Sequence, residues 1–165
     1  MHRARIAALF VAAAATASGV TALRTRAAEA PDLRPMVEKY WQAWEKGPDA
    51  AAPLYAKDPN LVFYDLEPLK YVGWSQYKAG VGPNILAKFD SIKFTVNNDV
   101  KTTAGGNVAW TSATVKGDGA LKGGSPIHVV MRHTAIWEKR GANWLIVHEH
   151  VSVPSSLPAP AQPKR

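Results

Sequence analysis

Three helical segments followed by a run of long alternating strands predict an α+β domain, with three N-terminal helices packed on one face of an antiparallel sheet. Apolar residues recur at helical spacing through Leu33, Met36, Val37, Tyr40, Trp41 and Trp44. From Ile92 onward, apolar and polar residues alternate in stretches separated by glycine-rich turns. The 165 residues, 47% hydrophobic and free of cysteine, leave room for one domain held together by its core. The absence of cysteine excludes disulfide frameworks, Cys-ligated zinc and thiol nucleophiles.

Residues 1–30 read as a secretory signal peptide and not as part of the fold. His2, Arg3 and Arg5 precede an uncharged run from residue 6 to 23, rich in Ala, Val and Leu. Small residues at Ala15 and Ala17, or at Ala28 and Ala30, offer cleavage sites, and no Arg-Arg pair is present, which favours the Sec route. The expected location is periplasmic or secreted, with no membrane association after cleavage; an uncleaved anchor is the alternative. Residues 31–154 form the domain. Residues 155–165, with three prolines, form a tail too proline-rich to fold.

Removing residues 1–30 removes four arginines and one glutamate, leaving 16 basic against 12 acidic residues. The remaining lysines are scattered singly and no Gly-rich phosphate loop exists, so nucleic acid is not an expected partner.

The first helix starts after Asp32, tolerates Pro35 in its first turn and stops at Gly47-Pro48. A second, short helix ends at Asp58-Pro59, and a strand follows at residues 61–65. The third helix begins at Trp74 and runs to about Lys88, with Gly80, Gly82 and Pro83 bending or breaking it. Four strands are expected at residues 92–96, 108–116, 127–138 and 144–153.

The last two strands are close enough in sequence to share faces. With Lys139 opposite Asn143, Val129, Met131, His133, Ala135 and Trp137 share an apolar face with Leu145, Val147, Glu149, Val151 and Val153. His133 and Glu149, directly opposed in this register, are the polar exceptions. A His and a carboxylate inside an apolar face are either a proton-moving or ligand-clamping pair, or a satisfied pair in the core. The other face holds Arg132, Trp144, Ile146, His148 and His150, read as a homodimer surface. A metal is not expected, because Arg132 beside the two histidines opposes a cation and no HExxH spacing occurs.

The segment from Asp58 to Asp65 leading to Tyr71-Val72-Gly73, and the ending Arg132-His133-Thr134 with Trp144-Leu145-Ile146-Val147-His148-Glu149-His150-Val151-Ser152-Val153-Pro154, resemble the SnoaL-like branch of the nuclear transport factor 2 (NTF2-like) superfamily. The resemblance implies a cone-shaped fold in which a curved sheet wraps helices around an apolar cavity, with dimers across the outer sheet face. It implies no single activity, since members include ketosteroid isomerase, scytalone dehydratase, limonene epoxide hydrolase and polyketide cyclases beside binding and assembly modules. Glu149 stands near a last-strand carboxylate of the hydrolases, but His133 and Ala135 replace their Arg-x-Asp half. Ala135 and Val151 stand where the kinase association domain has pocket arginines.

On this basis the expected function is binding of a small, mostly apolar molecule. Tyr40, Trp44, Tyr64, Tyr71, Trp110 and Trp137 are the candidate walls, and His133, Glu149 and Asp65 the candidate polar or catalytic groups. No cofactor is expected. The alternatives are a cofactor-independent isomerase, dehydratase or hydrolase using the His-Glu pair, and a non-catalytic dimerisation module.

Overall fold

The computed structural model describes residues 31–155; the leader and all but the first residue of the tail read from the sequence lie outside them. Helix α1 (Arg34–Trp44) starts where the Asp32 carboxylate accepts the Arg34 N–H at 3.0 Å, and buries Val37, Tyr40, Trp41 and Trp44. Helix α2 (Pro48–Ala51) runs into a 3-10 turn, Ala52–Leu54. Helix α3 (Gly73–Asn84) ends just past Pro83, and a 3-10 turn at Leu86–Lys88 replaces the rest of the expected helix.

Seven strands form one sheet: β1 (Val62–Tyr64), β2 (Tyr71–Val72), β3 (Phe89–Val96), β4 (Lys101–Gly105), β5 (Val108–Leu121), β6 (Pro126–Arg140) and β7 (Asn143–Ser152). Their order is β2-β1-β7-β6-β5-β3, with β4 beside the first half of β5. The pairs are antiparallel except β1 with β7, which is parallel, so the sheet is mixed. The concave face holds the helices over a single core.

Strands β5 and β6 are longer than the sequence pattern suggests. Gly117 and Gly119 read as loop residues, yet both lie within β5 opposite β6. Their missing side chains make room: a Cβ on Gly119 would sit 2.1 Å from the Ser91 carbonyl oxygen, and one on Gly117 would sit 3.0 Å from Val129. Gly119 thus lets the irregular start of β3 pair closely with the end of β5, and Gly117 makes room for Val129 of β6. Strand β4, whose Lys-Thr-Thr-Ala-Gly sequence lacks an apolar alternation, gave no signal.

The β6–β7 register differs from expectation. The turn is Gly141-Ala142, with Gly141 at φ 62° and Arg140 opposite Asn143. One extra residue, Val147, then bulges from β7, because Trp137 pairs with Ile146 while Ile136 pairs with His148. On the turn side of the bulge Ile146 faces the core and is fully buried, and Trp144 packs against the same core. The sequence pattern alone places both on the outer face, so the bulge corrects their direction. Past the bulge the expected parity returns: Glu149 and Val151 point inward, His148 and His150 outward.

Gly119→Ala is expected to lower stability by roughly 2 kcal/mol or more, since the clash is with backbone that cannot rotate away. Denaturant unfolding of the purified variant measures it.

Candidate functional site

The core under α1 is a layer of aromatic rings. Tyr55 packs on Trp74 at 4.4 Å between centroids, Phe63 stacks on Tyr77 at 5.0 Å, and Tyr40 stacks on His133 at 4.7 Å and 13°. Beside this layer lies an apolar cavity of about 290 Å³. Its walls include Tyr40, Trp41 and Trp44 from α1, Phe94 from β3, and Met131 from β6. Asp65, at the end of β1, is the one charged side chain on the wall.

Asp65 is fixed from two sides. Its Oδ1 accepts the Leu66 N–H at 2.6 Å and its Oδ2 accepts the Tyr77 hydroxyl at 2.7 Å. Burial pushes its carboxyl above the usual range, and these two donors hold it back. Of the three candidate polar groups, this is the one that faces the cavity.

His133 and Glu149 lie deeper. Because Glu149 pairs with Ala135 and His133 with Val151, the two are diagonal neighbours instead of direct partners, and His133 Nε2 stands 4.0 Å from Glu149 Oε2. That exceeds hydrogen-bond length. Neither side chain is exposed, and Tyr40 and Trp41 separate His133 from the cavity. Glu149 Oε1 accepts the Tyr55 hydroxyl at 2.8 Å, and Tyr55 in turn accepts the Trp44 indole N–H at 3.1 Å. Both nitrogens of His133 and the second oxygen of Glu149 have no protein partner. Burial drives the Glu149 carboxyl up to about 8 and the His133 imidazole down to about 3. Both groups are therefore uncharged at neutral pH. Burial likewise raises the phenols of Tyr40, Tyr55 and Tyr77, which stay protonated.

The aromatic candidates divide. Tyr40 and Trp44 line the cavity. Trp137 is buried elsewhere in the core, its indole donating to Thr111 Oγ1 at 3.0 Å, and Tyr71 packs against Tyr77 with its hydroxyl donating to the Glu67 carbonyl. Tyr64 and Trp110 are corrections of direction. Trp110 is 50% exposed on the outer face because it pairs with Ile136 at an outward position, while its neighbours Ala109 and Thr111 point in. Tyr64 is also outward, edge-on to His148 and His150. Arg132, His148 and His150 do lie on the outer face, His148 bonded through Nδ1 to the Val62 carbonyl at 2.7 Å.

Trp41, Tyr55 and Tyr77 were not singled out as site residues. Trp41 was visible as part of the apolar stripe of α1; nothing in the sequence told that Tyr55 and Tyr77 would supply the carboxylates' donors. No group of three or more His, Cys, Asp or Glu side chains suited to a metal occurs among the described residues.

The sequence model of the SnoaL-like domain matches residues 33–156, most of the chain. The protein belongs to the SnoaL-like family. Its SnoaL-like domain superposes on an NTF2-like superfamily protein from Salmonella enterica serovar Typhimurium with a TM-score of 0.66 at 21% identity, covering 76% of this chain and 91% of that one. An NTF2-like protein of unknown function from Pseudomonas putida KT2440 gives 0.63 at 21%, over 76% and 86%. A hexachlorocyclohexane dehydrochlorinase gives 0.61 at 12%, over 78% and 90%. At these identities the likeness is one of fold, and it supports the cone-shaped NTF2-like architecture expected from the sequence. Among curated proteins none matches the sequence significantly.

The buried carboxyl of this SnoaL-like domain makes a prediction about pH. Glu149 holds its proton to about 8 when folded but ionises at ordinary carboxylate pH when unfolded. Between those values Glu149 gives the folded state an extra proton, a contribution that lowers stability as pH rises; His133, unprotonated when folded, opposes it below about pH 6.5, so the net fall lies between about pH 6.5 and pH 8. Glu149→Gln should remove this fall, gaining on the wild type by a few kcal/mol between about pH 5 and pH 8. Urea unfolding at a series of pH values measures the slope.

Proposed function

We propose that this SnoaL-like protein binds a small, mostly apolar molecule in the cavity beside α1, with Asp65 as its polar contact. The observation that carries the reading is the combination of an apolar hollow of about 290 Å³ with a single carboxylate on its wall. That volume lies at the small end of the range for ligand pockets. The polar contact is moved from the His133–Glu149 pair to Asp65, because Tyr40 stands between that pair and the cavity.

A second reading, favoured by the environment of Asp65, is a cofactor-independent enzyme in which this carboxylate takes a proton from the bound molecule. A carboxylate raised by burial and fixed by Tyr77 is suited to general-base work. The dehydrochlorinase among the structural neighbours is named for a small apolar substrate, hexachlorocyclohexane, which fits a cavity of this kind.

We further propose export through the N-terminal leader and a homodimer across the outer sheet face. The exposed Val108 and Trp110 of β5 and Val130 of β6, on the outer face that also carries Arg132 and His150, support the dimer.

Trp41 and Trp44 on the wall make binding visible as a change in tryptophan fluorescence. Titration with phenylcyclohexane should saturate, and Val129→Phe, which fills the cavity, should weaken it by about tenfold or more. No saturable signal, and no bound mass in native mass spectrometry, would overturn the binding reading. Trp110→Glu should shift sedimentation from dimer to monomer; an unchanged dimer would place the interface elsewhere.

A further inference from the structure

The direction of hydrogen bonding on the cavity wall says more about the occupant than its volume does. Both oxygens of Asp65 already accept a hydrogen bond, Oδ1 from the Leu66 N–H and Oδ2 from the Tyr77 hydroxyl. A carboxyl group receiving a donor on each oxygen is held in its ionised form, which has about four acceptor sites, so two lone pairs remain for a ligand. The neighbouring donors are committed. The Tyr77 hydroxyl donates to Asp65, and the Trp44 indole N–H donates to the Tyr55 hydroxyl. The Tyr40 hydroxyl lies beside Tyr55 and Glu149, whose oxygens are its neighbouring acceptors. The Trp41 indole nitrogen is fully enclosed, with no surface for a ligand to touch. Lys88, between the wall residues Leu86 and Phe89 in the chain, is paired with Glu67 at 2.6 Å. Among the described residues the wall thus offers a negative acceptor at Asp65, where the hydrogen-bonding donors are already used.

We infer that the cavity takes an apolar molecule of about a dozen non-hydrogen atoms, at interior packing density, whose single polar group is a hydrogen-bond donor, a hydroxyl or protonated amine, and that it selects against carbonyl and carboxylate analogues. This rests on the binding reading above. A carbonyl oxygen placed at Asp65 would face lone pairs with no proton between them, and a carboxylate would add charge repulsion in an apolar enclosure. A hydroxyl or ammonium instead completes the carboxylate's shell with a charge-assisted bond. The aromatic walls suit either, and an ammonium gains from the ring faces of Trp44 and Tyr40 as well.

The test uses one skeleton with four polar groups: phenylcyclohexane, 4-phenylcyclohexanol, 4-phenylcyclohexanone and 4-phenylcyclohexylamine, each titrated into the full domain by calorimetry and tryptophan fluorescence. The alcohol or the amine should bind about tenfold or more tighter than the ketone, the size expected for a hydrogen bond to a charged group. Whichever of the two is tighter identifies the donor. Asp65→Asn, which keeps the volume and places an amide N–H on the wall, should bring the alcohol-to-ketone ratio toward one. Circular dichroism verifies that the variant is folded, and Asp65→Ala, which withdraws the acceptor, provides the same readout if it is not. A ketone that binds as tightly as the alcohol, or a ratio unmoved by either substitution, overturns the inference while leaving the cavity in place. Failure of all four compounds to bind overturns the binding reading itself.

Discussion

Burying the carboxyl of Glu149 is the constraint around which the interior is arranged. A carboxyl with no exposed surface has to be neutral or generously bonded, and here it is neutral, with one oxygen held by Tyr55. Tyr55 can serve only because the 3-10 turn after α2 brings it beneath α1, where Trp44 donates to its hydroxyl in turn. One chain of hydrogen bonds therefore ties β7 to the turn after α2 and to α1, the three pieces that meet over the concave face. Phe63, Trp74 and Tyr77 close the remaining space around Tyr55, so the polar chain sits inside an aromatic sleeve that excludes water. His133, stacked on Tyr40, fills the other side without a hydrogen bond of its own.

The cavity exists because this sleeve stops short of the sheet's far half. Beyond Trp44 the space is bounded by Val81 of α3, by Phe89, Ile92 and Phe94 of β3, and by aliphatic residues of β6 and β7. Asp65 enters at the seam where β1 ends, so the polar group on the wall comes from a strand end and not from the strand interior. That placement explains how one protein can keep two acids in such different conditions. Glu149 is enclosed by rings and stays protonated, while Asp65, a few residues from the surface, is held as an acceptor by a backbone N–H and a phenol.

Much of the architecture was legible in the sequence. The stripe on α1 and the alternation of β6 and β7 follow from periodicity, and the break in the third helix near Pro83 from its glycines and proline, and they lead to the fold class that the family and the neighbours share. The inward direction of His133 and Glu149 was legible as well, since polar residues on an otherwise apolar face stand out. What was not legible depended on features that have no local signature. The two-residue turn and the bulge at Val147 changed the partners of the pair and turned Ile146 and Trp144 inward. Trp110 and Tyr64 looked like cavity walls because aromatic residues are expected inside, but strand parity governs direction and residue type does not. The donors to the two carboxyls come from Tyr55 and Tyr77, distant in sequence, and only the fold brings them there.

The bulge at Val147 has an effect on how surely β7 finds its place. A regular strand that slides by one residue exchanges its two faces as a block, and a second slide restores them, so alternative alignments two residues apart can look alike to a core. Here the halves of β7 are out of phase. Ile146 on one side of the extra residue and Glu149 and Val151 on the other point inward together only in the observed alignment. Any shift that rescues one half strands the other, and a shift of two residues moves the irregularity away from the position where β6 can accommodate it. The single added residue thus works like the ward of a key: it leaves the strand one alignment in which both ends fit.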